Sequence, residues 1–253
     1  MGLLSKVAKG RMRRPPRVLL YGPPGIGKTT FGASTRKPIF VCTEDGADEI
    51  EADRFPLARC YDDVVAALGE LRGGKHGYET VVIDSLDWLE RLIHDRVCSD
   101  YDVNSIERAD GGYARGYTHA LTHWREVLAH LDALRADGMV IVLLAHSKVE
   151  RVEDPEMPAY DRHGPRIHKG ASALVTEWCD AVLFATRRVA VRQEDVGFGK
   201  KRTTAIGVGK AGGDRIMRTV GGPACLAKNR YGLTDDLPLE WSAFEAALQT
   251  SEE

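Results

Sequence analysis

The sequence predicts an α/β fold with a mostly parallel central sheet flanked by helices. Three observations predict it. A complete glycine-rich loop sits between an apolar strand and a helix, at Gly22–Thr29. Apolar strands then alternate with helical segments through the first two thirds of the chain. The last third breaks into short β-like runs divided by glycines, which extends the sheet with a C-terminal antiparallel β-meander. At 253 residues with 43% hydrophobic content, the chain has apolar material for a sizeable core. We expect a flexible basic arm over residues 1–16, ending at Pro15-Pro16, and a single domain over 17–250.

The elements follow in order. Arg17–Tyr21 reads as a buried strand, and Thr29–Ala33 opens the first helix. Pro38–Cys42 is a second short strand that runs into Thr43-Glu44-Asp45. Asp62–Arg72 has helical spacing and stops at Gly73-Gly74. Thr80–Asp84 is an apolar strand closed by an acid, with a helix over Leu86–Cys98. Ser99–Gly116 is polar, carries Gly111-Gly112, and reads as a loop. Thr118–Ala136 predicts a long helix, and Met139–Ala145 is the most apolar strand of the chain. Lys148–Lys169, with Pro155, Pro158 and Pro165, reads as a long irregular loop of the functional kind. A helix over Gly170–Trp178 and a strand over Ala181–Ala185 follow, then β-like runs at Thr203–Val208, Arg215–Val220 and Cys225–Lys228.

Gly22-Pro23-Pro24-Gly25-Ile26-Gly27-Lys28-Thr29 fills the pattern G-x-x-x-x-G-K-[ST], and Thr30 continues it into the helix. The glycines let backbone N–H groups close around phosphates, a helix start adds partial positive charge, and Lys28 reaches the β- and γ-phosphates. The Thr29 hydroxyl takes one position on Mg²⁺, and Asp84, delivered at the end of its strand, takes the opposite side. The motif therefore predicts a nucleoside triphosphate, ATP with Mg²⁺. Hydrolysis also needs a group to orient or deprotonate water. Glu44, just past the second strand, is the first choice, with Asp45 behind it. His146 ends the strand before the long loop and could report on the γ-phosphate. His119 and His123 lie four apart on a helix without a third ligand, and read as surface residues.

Composition excludes several classes. No run approaches eighteen apolar residues, so no membrane span is expected, and the basic N-terminus has no apolar signal core. The five cysteines are scattered and odd in number, as for thiols in a reducing cytoplasm. A formal net charge of −2 hides an asymmetry. Residues 1–17 hold Lys6, Lys9, Arg11, Arg13, Arg14 and Arg17 without an acid, while residues 44–53 hold six acids. Lys and Arg again dominate between 187 and 218, so a polyanionic partner is compatible with both basic regions.

The order of these features resembles the RecA-like P-loop NTPase core over about residues 17–235. More narrowly, it resembles the small phage-encoded, RecA-related single-strand annealing and recombination ATPases, among the AAA-type phage nucleotide-binding proteins. The narrowing stretches are Tyr113-Ala114-Arg115-Gly116-Tyr117, Leu143–Lys148 and Ala227-Lys228-Asn229-Arg230-Tyr231-Gly232. The resemblance implies that Glu44 activates water and that His146 stands at the sensor position. It also implies that Lys228 and Arg230 act as fingers in a neighbour's ATP site, which requires a homo-oligomer, ring or filament. Segments 99–116 and 147–169 would line a single-stranded DNA path. Neither is basic overall, so contact would rest on Tyr113, Arg115, Tyr117, Lys148, Arg162, Arg166 and Lys169, with Tyr160 a further stacking candidate and the basic arm and Lys200-Lys201-Arg202 competing. The implied activity is DNA-stimulated, Mg²⁺-dependent ATP hydrolysis coupled to annealing or recombination in the cytoplasm of a phage-infected host, with a single-strand binding protein as a further candidate partner. Two alternatives remain open from the residues: a P-loop small-molecule kinase with 147–169 as its lid, and a nucleotide-switched assembly factor with no DNA activity of its own.

Overall fold

The structure, a computed structural model, describes residues 14–46, 49–195, 201–209, 212–234 and 236–250, with positions 4, 7, 9, 10 and 12 before them; for 191–195 and 201–205 it gives the backbone. Lys6, Arg11, Arg13 and Lys200, named above as competing basic groups, lie outside the described residues. The strands are β1 (Arg17–Gly22), β2 (Pro38–Cys42), β3 (Asp53–Arg54), β4 (Thr80–Asp84), β5 (Val140–Val152), β6 (Tyr160–Pro165), β7 (Ala181–Arg187), β8 (Val189–Asp195), β9 (Lys201–Gly207), β10 (Arg215–Arg218), β11 (Lys228–Asn229) and β12 (Leu237–Pro238). The helices are α1 (Lys28–Ala33), α2 (Tyr61–Gly73), α3 (Leu86–Asp100), α4 (Arg115–Ala136), α5 (Lys169–Trp178) and α6 (Trp241–Thr250), with a short 3-10 helix at Ile106–Gly111.

Val18 and Leu20 turn to one face of the sheet and Leu19 and Tyr21 to the other, all fully buried. A strand apolar on both faces belongs inside a sheet covered by helices on both sides. Accordingly β1 pairs in parallel with β5 and β7, and the sheet order is β12-β10-β7-β1-β5-β4-β2-β3. From β7 to β3 every neighbour in that order is parallel. Apart from β6, which pairs antiparallel with β5, the antiparallel additions come from the last third: β10 and β12 extend the β7 edge, β11 pairs with β7, and β8 with β9 forms a separate hairpin.

Helices α2, α3, α4 and α5 cover one face through Leu68, Leu89, Ile93, Trp124, Leu131 and Val175. The other face is closed by α1 and α6, where Phe31 meets Trp241 edge-on and Trp241 packs on Phe244. The start of α2 is fixed by Asp63, whose carboxylate accepts the N–H groups of Arg59 at 2.8 Å and Cys60 at 3.2 Å.

The segment expected as a long irregular loop, 147–169, is largely a β-hairpin. Strand β5 continues past the apolar core to Val152 and returns as β6, in register from Ser147↔Pro165 to Val152↔Tyr160. From Lys148 to Val152 its residues alternate in exposure, as a strand leaving the core must. Segment 99–116 likewise contains the 3-10 helix, and α4 begins three residues earlier than its periodicity indicated. Helix α6 and the short strands β3, β8 and β12 are further elements that the sequence reading had not marked.

Candidate active site

Strand register brings the chemistry to one end of the sheet. Gly22 at the end of β1 sits beside His146 of β5, and Asp84 at the end of β4 sits between Leu144 and Cys42. Glu44 follows β2 by two residues. These positions are the carboxyl ends of parallel strands, where ligands bind in open α/β sheets.

The loop from Gly22 to Gly27 is shaped by its glycines. Gly25 and Gly27 hold φ of 71° and 109°, which side chains resist. A Cβ on Gly22 would stand 2.5 Å from the Ala185 carbonyl oxygen. Lys28 is buried, and its ammonium donates to the carbonyls of Gly22 (3.3 Å) and Pro23 (3.2 Å). Burial lowers its pKa, against the opposing pull of Asp84, Glu44 and Asp87.

The Thr29 hydroxyl donates to Asp84 Oδ2 at 2.8 Å. Burial pushes the Asp84 carboxyl upward, and its Oδ1 is buried with no hydrogen-bond partner. A buried carboxylate with an unused oxygen, beside a hydroxyl, is a hard-oxygen donor set that fits Mg²⁺. Thr29 and Asp84 would hold it.

Next to this pair lies a charged cluster centred on Asp87, in the first turn of α3. Asp87 Oδ1 accepts the His146 backbone N–H at 2.9 Å, its Oδ2 lies 3.1 Å from the His146 ring, and Arg166 donates to Oδ2 at 2.6 Å. Burial alone would raise Asp87, but the bonds from His146 and Arg166 prevail and hold it well below the usual carboxylate range. Glu44 Oε2 stands 4.0 Å from the His146 ring. Burial first, then Asp84, raises its pKa, while His146 opposes the shift. A carboxyl so placed is a better proton acceptor than an ordinary glutamate.

The structure thus brings Lys28, Thr29, Asp84, Glu44 and His146 together. It does not bring Lys228 and Arg230 to them. Lys228 of β11 pairs with Val182, and Arg230 reaches Asp180 at 3.3 Å, beside Arg17 and Arg135. That is the opposite end of β1 and β7, roughly 17 Å away at ~3.3 Å per strand residue. Of the candidate DNA contacts, Tyr113, Arg115, Arg166 and Lys169 are exposed, although Arg115 donates to the Asp110 carbonyl at 3.3 Å. Four are held by side-chain or backbone partners elsewhere in the chain. Tyr117 stacks on His168 at 4.2 Å, Lys148 donates to the Ile167 carbonyl at 2.7 Å, Arg162 pairs with Glu150 at 3.0 Å, and Arg166 holds Asp87. His119 faces Asp110 at the surface of α4, whereas His123, expected there as well, is 17% exposed and lies between Asp100 and the Tyr61 ring.

Two residues of the site escaped the sequence reading. Asp87 had a signal, since an acid at a buried position early in α3 needs partners. Arg215 had none: it comes from β10 to donate to the Ile26 carbonyl at 3.4 Å, where a Cβ on Gly27 would meet it at 2.8 Å. Beside it a cavity of about 660 Å³ opens between Gly27, Thr30, Arg188 and Leu239.

Comparison with known proteins bears on this arrangement. A family model described as an AAA domain matches residues 14–231. The chain belongs to this AAA domain family. Among curated proteins, it is 25% identical over 185 residues to the SPbeta prophage-derived uncharacterized protein YorG of Bacillus subtilis (strain 168), covering 72% of this chain and 53% of that one. It is 30% identical over 104 residues, 40% of this chain, to the Holliday junction branch migration complex subunit RuvB of Limosilactobacillus reuteri (strain DSM 20016), covering 28% of it. RuvB of Lactobacillus johnsonii is 32% identical over 95 residues, 38% of this chain and 25% of that protein. The chain spans about half of YorG and about a quarter of the RuvB proteins. This AAA domain has an α/β P-loop NTPase-like fold and a prophage-derived relative. No helix among its described residues is long and apolar enough to cross a membrane.

Proposed function

We propose that this AAA domain is an ATPase that assembles on single-stranded DNA and promotes annealing or recombination. The narrower kinship is with the RecA-related phage enzymes. The observation carrying the reading is the split of its charged groups between two poles. Lys28, Thr29, Asp84, Glu44 and His146 converge at one end of the sheet, and Lys228 and Arg230 sit at the other. Groups that cannot reach their own phosphate loop would, in this reading, complete the site of a second copy in a ring or filament.

Lys28 binds the β- and γ-phosphates, and the cavity beside Thr30 and Arg215 receives the nucleoside. Mg²⁺, when bound by Thr29 and Asp84, supplies charge neutralisation at the phosphates. Glu44 takes a proton from water as its oxygen attacks the γ-phosphorus. The bond to the β,γ-bridging oxygen breaks, and its electron pair leaves with ADP. His146, held by Asp87, stays oriented at the γ-phosphate end. The solvent-facing Tyr113, Arg115 and Lys169 supply one stacking surface and two charges to a strand. A DNA partner accords with relatives whose names place them in a branch migration complex, and a host-cell cytoplasmic setting with the prophage relative.

A second reading, a nucleotide-switched assembly factor, draws on the engagement of Lys148, Arg162 and Arg166 within the chain. ATP turnover with and without single-stranded DNA, at low and high salt, separates the two, with Lys28→Ala as the blank. Stimulation that fades with salt supports the DNA-dependent ATPase. Turnover indifferent to DNA sinks that reading and leaves the assembly factor.

A further inference from the structure

Arg166 was expected among residues that track DNA, yet its guanidinium lies in the cluster beside the phosphate loop. It follows β6 directly, and its backbone N–H donates to the His146 carbonyl at 2.8 Å. His146 in turn sits one strand over from Gly22, the first residue of the phosphate loop. One amino group of Arg166 is fixed on Asp87, while its side chain keeps 44% exposure. The other guanidinium N–H groups remain in a position to reach a ligand, since arginine carries five donors in a rigid fork.

Charge balance gives the reason. Three carboxylates, Asp84, Asp87 and Glu44, crowd the place where the γ-phosphate would arrive. Asp84 has Thr29 and an oxygen suited to a metal, and Glu44 suits the attacking water. Asp87, already bonded to His146 and Arg166, would repel a phosphate. At 4% exposure, its three donors come from His146 and Arg166. It is a positioning residue for both groups, which it holds beside the phosphate loop. Arg166 and Lys28 are close enough for the Arg166 charge to depress the lysine's pKa.

We propose that Arg166 is an in-chain catalytic arginine, held on Asp87 and donating to the γ-phosphate of the ATP bound by its own subunit. This rests on the ATPase reading and adds a cation to it that needs no neighbour. As the γ-phosphorus parts from the bridging oxygen, which keeps the electron pair as ADP leaves, Arg166 stabilises the charge on the phosphoryl oxygens; the water proton goes to Glu44. Because Arg166 ends the β5–β6 hairpin, the same contact ties that hairpin to the state of the nucleotide.

The test uses Arg166→Ala and Arg166→Lys in the full chain, reading ADP and ATPγS affinity, turnover, and activity of a mixture with Lys28→Ala. The expected Arg166→Ala protein binds ADP normally, loses its preference for ATPγS over ADP, and turns over ATP ~100-fold more slowly or worse. Arg166→Lys, which keeps a charge without the fork, should fall between. The mixture should stay inactive, because each site then lacks either Lys28 or Arg166. Recovery of activity on mixing would assign Arg166 to a neighbour's site and overturn the proposal, as would unchanged turnover with an unchanged ATPγS preference. If the unsubstituted protein proves inactive, the hydrolytic reading fails separately; the ATPγS-over-ADP preference, lost or retained in Arg166→Ala, still decides the contact.

Discussion

Three carboxylates in one stretch of seven residues show how environment, not residue type, sets charge here. Asp84 is raised by burial, which outweighs the bond from Thr29 and the charges of Lys28 and His146; Asp87 is held low because His146 and Arg166 surround it. Glu90 lies one turn further along α3. Both of its oxygens accept the His168 N–H at 2.8 Å and Lys148 is nearby, yet burial wins and pushes it up to about 7, with Asp87 adding repulsion. His94, edge-on to Tyr117, and His168, stacked on it, line the same region. The consequence for stability has a definite sign. Below 4.5, its ordinary value, folded and unfolded chains both hold the proton. Between there and about 7 the unfolded chain releases it first, so stability falls as pH rises, then levels off. The full effect is on the order of 3 kcal/mol as an upper bound. Glu90→Gln keeps an acceptor and removes the charge. Its melting temperature relative to the parent should therefore climb between about pH 5 and about pH 8. An offset that is the same at both pH values would show that Glu90 does not titrate in this window.

Among elements, the junction of the 3-10 helix with α4 carries the tightest close approach. A Cβ on Gly116 would stand 2.0 Å from the Ile106 carbonyl oxygen and 3.0 Å from Ala109. Helix propensity alone favours alanine there by up to ~1 kcal/mol. The overlap with backbone should prevail, so Gly116→Ala is expected to lose ~2–3 kcal/mol in urea unfolding; a neutral or stabilising result would mean the 3-10 helix yields freely. The same elements show what could be read from the sequence. The phosphate loop, α2, α4 and strands β1, β2, β4, β5 and β7 declare themselves by local pattern, since each buries its own apolar run. The β5–β6 hairpin did not, because Pro165 and Gly164 break the strand pattern and its pairing joins residues across Pro155 and Pro158. The site divides the same way. Lys28, Thr29 and Asp84 were legible from motif and position, whereas Arg166 and its partner Asp87 are 79 residues apart, and nothing local announces the pair.

For the whole molecule, the question is what completes the site. Asp180 gathers three arginines: Arg17 at 3.0 Å, Arg135 at 2.8 Å and Arg230 at 3.3 Å. Burial opposes its charge, but the arginines hold Asp180 below its ordinary pKa. Arg17 and Arg135 have 12% and 14% of their side chains exposed and bond it from inside, while Arg230 is 56% exposed. Removing Arg230 therefore leaves the buried acid paired, and its exposed ion pair is worth at most ~1 kcal/mol. Arg230→Ala should fold, bind ATP with unchanged affinity, and lose hydrolysis if its guanidinium serves a neighbouring subunit. The geometry then predicts complementation. Arg230→Ala subunits keep an intact phosphate loop, and Lys28→Ala subunits keep the arginine, so neither protein alone is active. In an equal mixture, roughly one quarter of heterologous interfaces should join a working loop to a working arginine. Turnover that returns on mixing would establish the two-pole assembly, whereas a mixture as inactive as its parts would confine Arg230 to the Asp180 network.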